Sequence, residues 1–296
     1  MRRATGGLTL LEAIIALAIF GLIAVMATVG VSGALRAQSL NENIVSSQSR
    51  LRRVTEVFTQ ELRSAVLGGV ANAPYTSNDH QVSFITLIGG AGDPVDYQDQ
   101  GNNASFQHAD SFNLIWGGSG TDPSTTLPGH HVMLVNDNGE SIVFQVTSVQ
   151  LVGAGLYKVV HAGCDNTIAY TGPRTMSMRT RSVGFRYDPN DKTLYMTEGS
   201  GPEVPVAFEL SSVAIQYVYV TDGGTTLVES APLTDASGAP LRTGTINGQR
   251  ATLQRIGLAI SAADGSHGRT VRRTASGMVQ LTSGHSFAIN RVTTCN

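Results

Sequence analysis

The chain has 296 residues, room for one large or two small domains of about 150 residues each. Only 14% of residues are charged, against roughly 25% in an average soluble chain, while 41% are apolar. The outside must therefore be polar through Ser, Thr, Asn, Gln and Gly, as suits extracellular surfaces and β-rich folds, and a formal charge of −2 singles out no partner.

Charge is spread unevenly along the chain. Residues 1–67 hold 7 basic and 4 acidic side chains, residues 68–240 hold 6 and 17, and residues 241–296 hold 7 Arg against Asp264 alone. The net values of −11 in the middle and +6 at the end can be surface patches or no more than an uneven count, because a sequence segment is not a surface.

The N-terminus is short and basic, with Arg2 and Arg3, and closes on Gly6-Gly7. From Ala13 to Leu35 there are 23 residues without a charge. As a helix they span about 34 Å, enough for a bilayer core of about 30 Å. Arginines before the span keep the N-terminus cytoplasmic and place the rest of the chain outside. The run is too long for the apolar stretch of an ordinary signal peptide, and it continues into a second helical segment. Glu12 separates it from a plain anchor. A carboxylate in hydrocarbon is expensive and normally has a partner or a function.

The window Gly7-Leu8-Thr9-Leu10-Leu11-Glu12 resembles the type IV prepilin cleavage motif: a Gly, a hydrophobic residue, and Glu five positions into the mature chain. The resemblance implies a prepilin peptidase that cuts between Gly7 and Leu8 and N-methylates Leu8, where Phe is commoner. It also implies that Glu12 pairs with the new α-ammonium of an adjacent subunit. Two opposite charges buried together are favoured over either one alone.

Beyond the span, Leu40, Ile44, Leu51, Val54, Phe58, Leu62 and Val66 recur at three, four or seven residues, the apolar stripe of an amphipathic helix. No Pro precedes Pro74, although Gly30 and Gly33 soften the helix. Major type IV pilins often carry a Pro at the position of Val29, so its absence favours a minor subunit. Gly68-Gly69 reads as the C-terminal breaker. The expectation is one helix over 8–67, its first half in the membrane or filament core and its second half packed on a globular head.

Residues 82–88, 112–116, 132–135, 142–146 and 156–160 read as strands, being β-branched or aromatic runs between Gly, Asp, Asn and Pro clusters. Residues 185–196 read as a hairpin and 213–220 as a strand followed by a turn. In 252–260, Ile256, Leu258 and Ile260 alternate on one face. This order resembles the W-type minor pilins and the J-type pseudopilins of type II secretion. The Gly-, Asp- and Asn-rich 89–130 region reads as a surface insertion. The fold class expected is α+β and pilin-like. Its parts are a leader (1–7), a membrane-spanning half-helix (8–35), an amphipathic half-helix (36–68) and a β-rich head (69–296).

No HExxH, P-loop, GxGxxG or GxSxG motif occurs, and Gly117-Gly118-Ser119-Gly120-Thr121 lacks the last glycine of a nucleophile elbow. The chain therefore reads as a structural subunit without cofactor or metal, not an enzyme. His130-His131, adjacent on a strand, point to opposite faces. Asp188, Asn190 and Asp191 have spacing that suits Ca²⁺ and equally suits a hairpin turn. Cys164 and Cys295 fit no zinc pattern. In an exported head they can form one disulfide closing about 130 residues, worth roughly 4–5 kcal/mol, or stay as two buried thiols. Partners expected are other pilins or pseudopilins, the peptidase and the inner membrane. The alternative is a nucleic-acid-binding subunit of a DNA-uptake pilus, with Arg250, Arg255, Arg269, Arg272, Arg273 and Arg291 on phosphates, though no aromatic platform interleaves with them.

Overall fold

A computed structural model describes residues 10–88, 92–95, 110–118, 121–162, 168, 175–199, 201–236, 238–266, 269–281 and 291–294. Its first element is α1 (Leu10–Arg63), a helix of 54 residues. Strands follow: β1 (Ala65–Ala71), β2 (Gln81–Leu87), β3 (Asp93–Pro94) and β4 (Ser111–Ile115). After the short α2 (Pro123–Thr126) come β5 (His131–Val135), β6 (Glu140–Gly153), β7 (Leu156–Ala162), β8 (Met176–Asp188), β9 (Thr193–Glu198) and β10 (Val204–Ala207). Then come β11 (Leu210–Thr221), β12 (Thr226–Glu229), β13 (Thr243–Ile246), β14 (Gln249–Ser266), β15 (Arg269–Gln280) and β16 (Arg291–Thr294).

The chain falls into two units, Met1–Ser49 with Ala263–Arg273, and Arg50–Ala262 with Thr274–Asn296. The first holds most of α1. The second holds the last turns of α1 and a β-rich head, which makes the fold the expected α+β pilin-like one.

The head has an eleven-stranded sheet with the central order β1-β2-β8-β5-β6-β7-β4 and a five-stranded sheet with the order β12-β11-β14-β13. Among the described residues β1–β2, β2–β8, β8–β5, β5–β6, β6–β7, β7–β4, β12–β11, β11–β14 and β14–β13 pair antiparallel, whereas β16 runs parallel to β6, from Arg291 opposite Glu140 to Thr294 opposite Val143. In the second unit the apolar stripe of α1 is buried as expected: Leu51, Val54, Phe58 and Leu62 join Phe84, Phe185, Tyr217, Ile256 and Leu258 in one core. Phe58 meets Phe185 edge-on at 5.2 Å. Burying each such side chain stabilises by about 1.5–3 kcal/mol. A second core gathers Phe112, Leu114, Val132, Leu134, Ile142, Phe144 and Val159.

Arg181 on β8 ties the helix to the large sheet. Its Nη2 donates to Glu61 Oε2 at 2.7 Å, its Nη1 to Glu198 Oε1 at 2.9 Å, and its Nε to Thr86 Oγ1 at 3.1 Å. Gly184 is needed on the same strand, because a Cβ there would lie 2.6 Å from Pro74 Cγ and 2.7 Å from the Tyr75 ring.

Three expectations need correction. The helix ends at Arg63, not at Gly68-Gly69, because Ser64 N and Oγ turn back to Glu61 O and the chain enters β1 at once. The glycine pair lies in the irregular stretch of that strand between Ala65↔Thr86 and Val70↔Phe84, where extra residues must bulge. The 89–130 region is more than a surface insertion: its β4 pairs with β7, and Val95, Phe112, Leu114 and Leu127 are core residues. The alternation of Ile256, Leu258 and Ile260 holds, but Ala251 and Leu253 are also buried on odd positions. A bulge at Gln254, between Val218↔Arg255 and Tyr219↔Leu253, carries the apolar set across that change of parity.

Candidate functional site

The first unit contains the one helix, among the described residues, that is long and apolar enough to cross a membrane. Its most apolar 18-residue window has mean hydropathy 2.7, and none of that window is buried. Leu10 is 82% exposed, Leu11 67%, Ile19 56% and Phe20 71%, positions spread around the whole helix, so the exposure is not confined to one face. An added Cβ at Gly21, Gly30 or Gly33 would meet nothing within 4 Å. The two hydroxyls in the second half of this stretch are satisfied within the helix: Thr28 Oγ1 donates to Ala24 O at 2.8 Å and Ser32 Oγ to Val29 O at 2.9 Å. That is what a hydroxyl needs in hydrocarbon.

Glu12 stands in the first turn of α1 and is exposed. A carboxylate there complements the positive end of the helix dipole. Gly7 and Leu8, between which the cut is expected, lie outside the described residues.

The other sequence candidates are scattered. Arg250 and Arg255 are both exposed on the outward face of β14, about 17 Å apart along the strand. Arg255 Nη1 lies 3.8 Å from Met278 Sδ. Arg272 is exposed and Arg273 half-buried on β15, while the side chains of Arg269 and Arg291 lie outside the described residues. So do Cys164 and Cys295 and part of the 117–121 loop.

His131 opens β5, and burial, then the neighbouring His130, holds its imidazole below the usual range. The Asp188–Asp191 oxygens serve the hairpin: Asp188 Oδ1 accepts from Asn190 N, its Oδ2 from Arg186, and Asp191 Oδ1 accepts from Thr193 N. Among the described residues no three His, Cys, Asp or Glu side chains come together as metal ligands. A groove beside Thr55, Glu56, Thr59, Gln60 and Arg63 gathers no catalytic set.

Sequence reading missed a polar cluster on the head. Arg186 binds Glu203 through two bonds, Nε–Oε1 at 2.9 Å and Nη2–Oε2 at 2.7 Å, and its guanidinium lies 5.1 Å from the Tyr195 ring centre. Tyr75 OH donates to the same Glu203 Oε1 at 2.7 Å. Arg186, then Tyr75, hold the Glu203 carboxyl below its usual range. No short motif announces this contact, since its members come from three distant segments.

The family described as the prokaryotic N-terminal methylation motif matches residues 2–28. No curated protein and no solved structure matches the chain. The match takes in the basic start, Gly7, Leu8, Glu12 and the first half of the exposed apolar stretch, and it supports a type IV pilin-like subunit held in a membrane by α1.

Proposed function

We propose that this chain is a minor pilin or pseudopilin, a structural subunit and not an enzyme, built into a type IV pilus or a type II secretion filament. The carrying observation is the apolar first part of α1, exposed on every side with Glu12 at its head. So much apolar surface requires a covering that the rest of the chain does not supply. Lipid covers it before assembly, and the helices of neighbouring subunits cover it afterwards.

In this reading residues 1–7 are the leader and 8–35 the membrane and filament-core segment. Residues 36–68 lead into the head of 69–296. The N-terminus is cytoplasmic and the head periplasmic or extracellular. Peptidase cleavage after Gly7 frees the Leu8 amine for methylation. The Glu12 carboxylate then receives the ammonium of an adjacent subunit. A nucleic-acid-binding subunit would carry the same helix; what speaks against it is the spacing of Arg250 and Arg255, about 17 Å apart along β14.

Glu12→Ala tests the assignment. The variant keeps Gly7 and Leu8, so it should still be cleaved, and it should insert at least as well, because a costly carboxylate is gone. Removing one member of a buried pair typically costs about 3–5 kcal/mol, so it should no longer cross-link to other pilins in membranes. Cross-linking at the unsubstituted level would defeat the role given to Glu12. A mature chain still beginning at Met1 by intact mass would defeat the processing.

A further inference from the structure

The β14–β15 hairpin is longer than the sheet it belongs to. β14 pairs with β11 only as far as Ala262, opposite Leu210. From Ala263 to Arg273 the hairpin is grouped instead with the first 49 residues of the chain, in the first unit. Apart from the residues before Leu10, it is all of that unit that is not helix. On α1, Ser39, Leu40, Asn43 and Ile44 are half-buried and Ser47 is buried, while the residues between them are exposed. Their spacing of three and four makes one helix face, and it is the face that the end of the hairpin covers. Along β15 the exposure alternates: Arg272 and Thr274 are exposed, Arg273 and Ala275 half-buried.

Resting on the membrane-anchor reading above, we infer that the basic end of this hairpin, together with Arg36, lies on anionic lipid headgroups before the subunit enters a filament. The uncharged run ends at Leu35, and Arg36 follows it at once, fully exposed. Residues 39–47 lie about 6–18 Å further along the helix axis. The headgroup layer is about 5–8 Å thick on each side of a bilayer, and a charge is felt about 8 Å beyond it at physiological ionic strength. Most of the stretch beside the hairpin end is therefore within reach of the headgroups. The sign fits as well. Residues 36–49 and 263–273 carry Arg36, Arg269, Arg272 and Arg273 against Glu42 and Asp264. Among the described residues Arg36, Arg272 and Arg273 make no ion pair or hydrogen bond, so no carboxylate of the chain competes for them. A guanidinium suits a phosphate in particular. Nucleic acid offers phosphates too, but the span holds this face at the bilayer surface, so the encounter with lipid is intramolecular and weak pairs suffice.

Photo-cross-linking of the full-length protein in vesicles tests this, with lipid adducts read by intact mass. A benzophenone-bearing residue replaces Thr274, on the outward face with Arg272, in one preparation, and Val29, inside the uncharged run, in another. The vesicles are phosphatidylcholine alone or its equal mixture with phosphatidylglycerol. Position 274 should capture phosphatidylglycerol well above its share of the mixture, and about 1 M salt, where the Debye length is about 3 Å, should erase that preference. Arg272→Gln should lower the preference about fivefold, and Arg272→Lys should keep it. Position 29 should capture either lipid without preference. Adducts at 29 with none at 274, no preference at 274, or a preference untouched by Arg272→Gln overturns the headgroup contact and leaves the anchor standing. Capture of added duplex DNA at 274 in place of lipid also overturns it and gives these arginines to nucleic acid. No adduct at 29 overturns the anchor as well.

Discussion

Phe20 and Phe58 sit on one helix and carry the same side chain, yet Phe20 is 71% exposed and Phe58 1%. The difference shows that α1 is two objects in one element. Its first part is apolar all round and unburied over its most apolar window, while its last turns are amphipathic and supply the centre of a core. A helix buried inside its own protein would have no reason to keep the first composition, and a free membrane anchor would have no reason to keep the second. Stability should therefore depend on one half of the helix, and membrane residence and assembly on the other.

The sharpest test replaces both phenylalanines in the full chain in detergent. Phe58→Ala empties a site against Phe185 and should lower the stability of the head by about 3–5 kcal/mol, read as a fall in its unfolding midpoint. Phe20→Ala should leave that midpoint within about 0.5 kcal/mol of the unsubstituted chain. Equal effects from the two substitutions would erase the division of the helix.

The two halves also differ in how far they could be read in advance. The anchor is local: the Gly7–Glu12 spacing and an uncharged run lie within one stretch of chain, and nothing distant alters their meaning. The stripe of Leu51, Val54, Phe58 and Leu62 was equally legible, because its period belongs to the helix itself. The end of that helix was not. Gly68-Gly69 suits a breaker or a bulge, and pairing with β2 decides for the bulge. The sheet order is non-local too: β2 pairs with β8, some hundred residues away, and β16 returns beside β6. The bulge at Gln254 hid the full apolar face of β14, since simple alternation breaks there.

A smaller effect separates ionic contacts by the same criterion of burial. Arg181→Met keeps the length of the side chain but leaves the 17%-exposed Glu61 carboxylate without its guanidinium. About 1–2 kcal/mol should be lost, less than for an enclosed pair because solvent still reaches Arg181. Arg52→Met breaks the Arg52–Glu56 contact, whose side chains are 82% and 62% exposed, and should change nothing measurable in unfolding. If the two variants unfold alike, Arg181 does not brace the helix against the sheet.

The smallest effect is a dependence on pH, and it belongs to the head alone. Arg186 and Tyr75 hold the folded Glu203 carboxyl below the unfolded value, which is about 4.3. A depressed carboxylate contributes stability that is complete above the unfolded pKa and is lost as pH falls through the folded one. The Asn190 backbone N–H and Arg186 depress Asp188 in the same direction, so both groups weaken the head on acidification. Arg186→Gln removes the cation common to both. Its melting temperature should lie below that of the unsubstituted chain at pH 7, and the gap should narrow as the pH is taken toward 3, because protonated Glu203 no longer distinguishes Arg186 from Gln. Phe20→Ala should show no such convergence, having no part in the network. A gap that stayed constant or widened with acid would mean that Arg186 acts through its packing on Tyr195, 5.1 Å from the ring centre, and not through its charge.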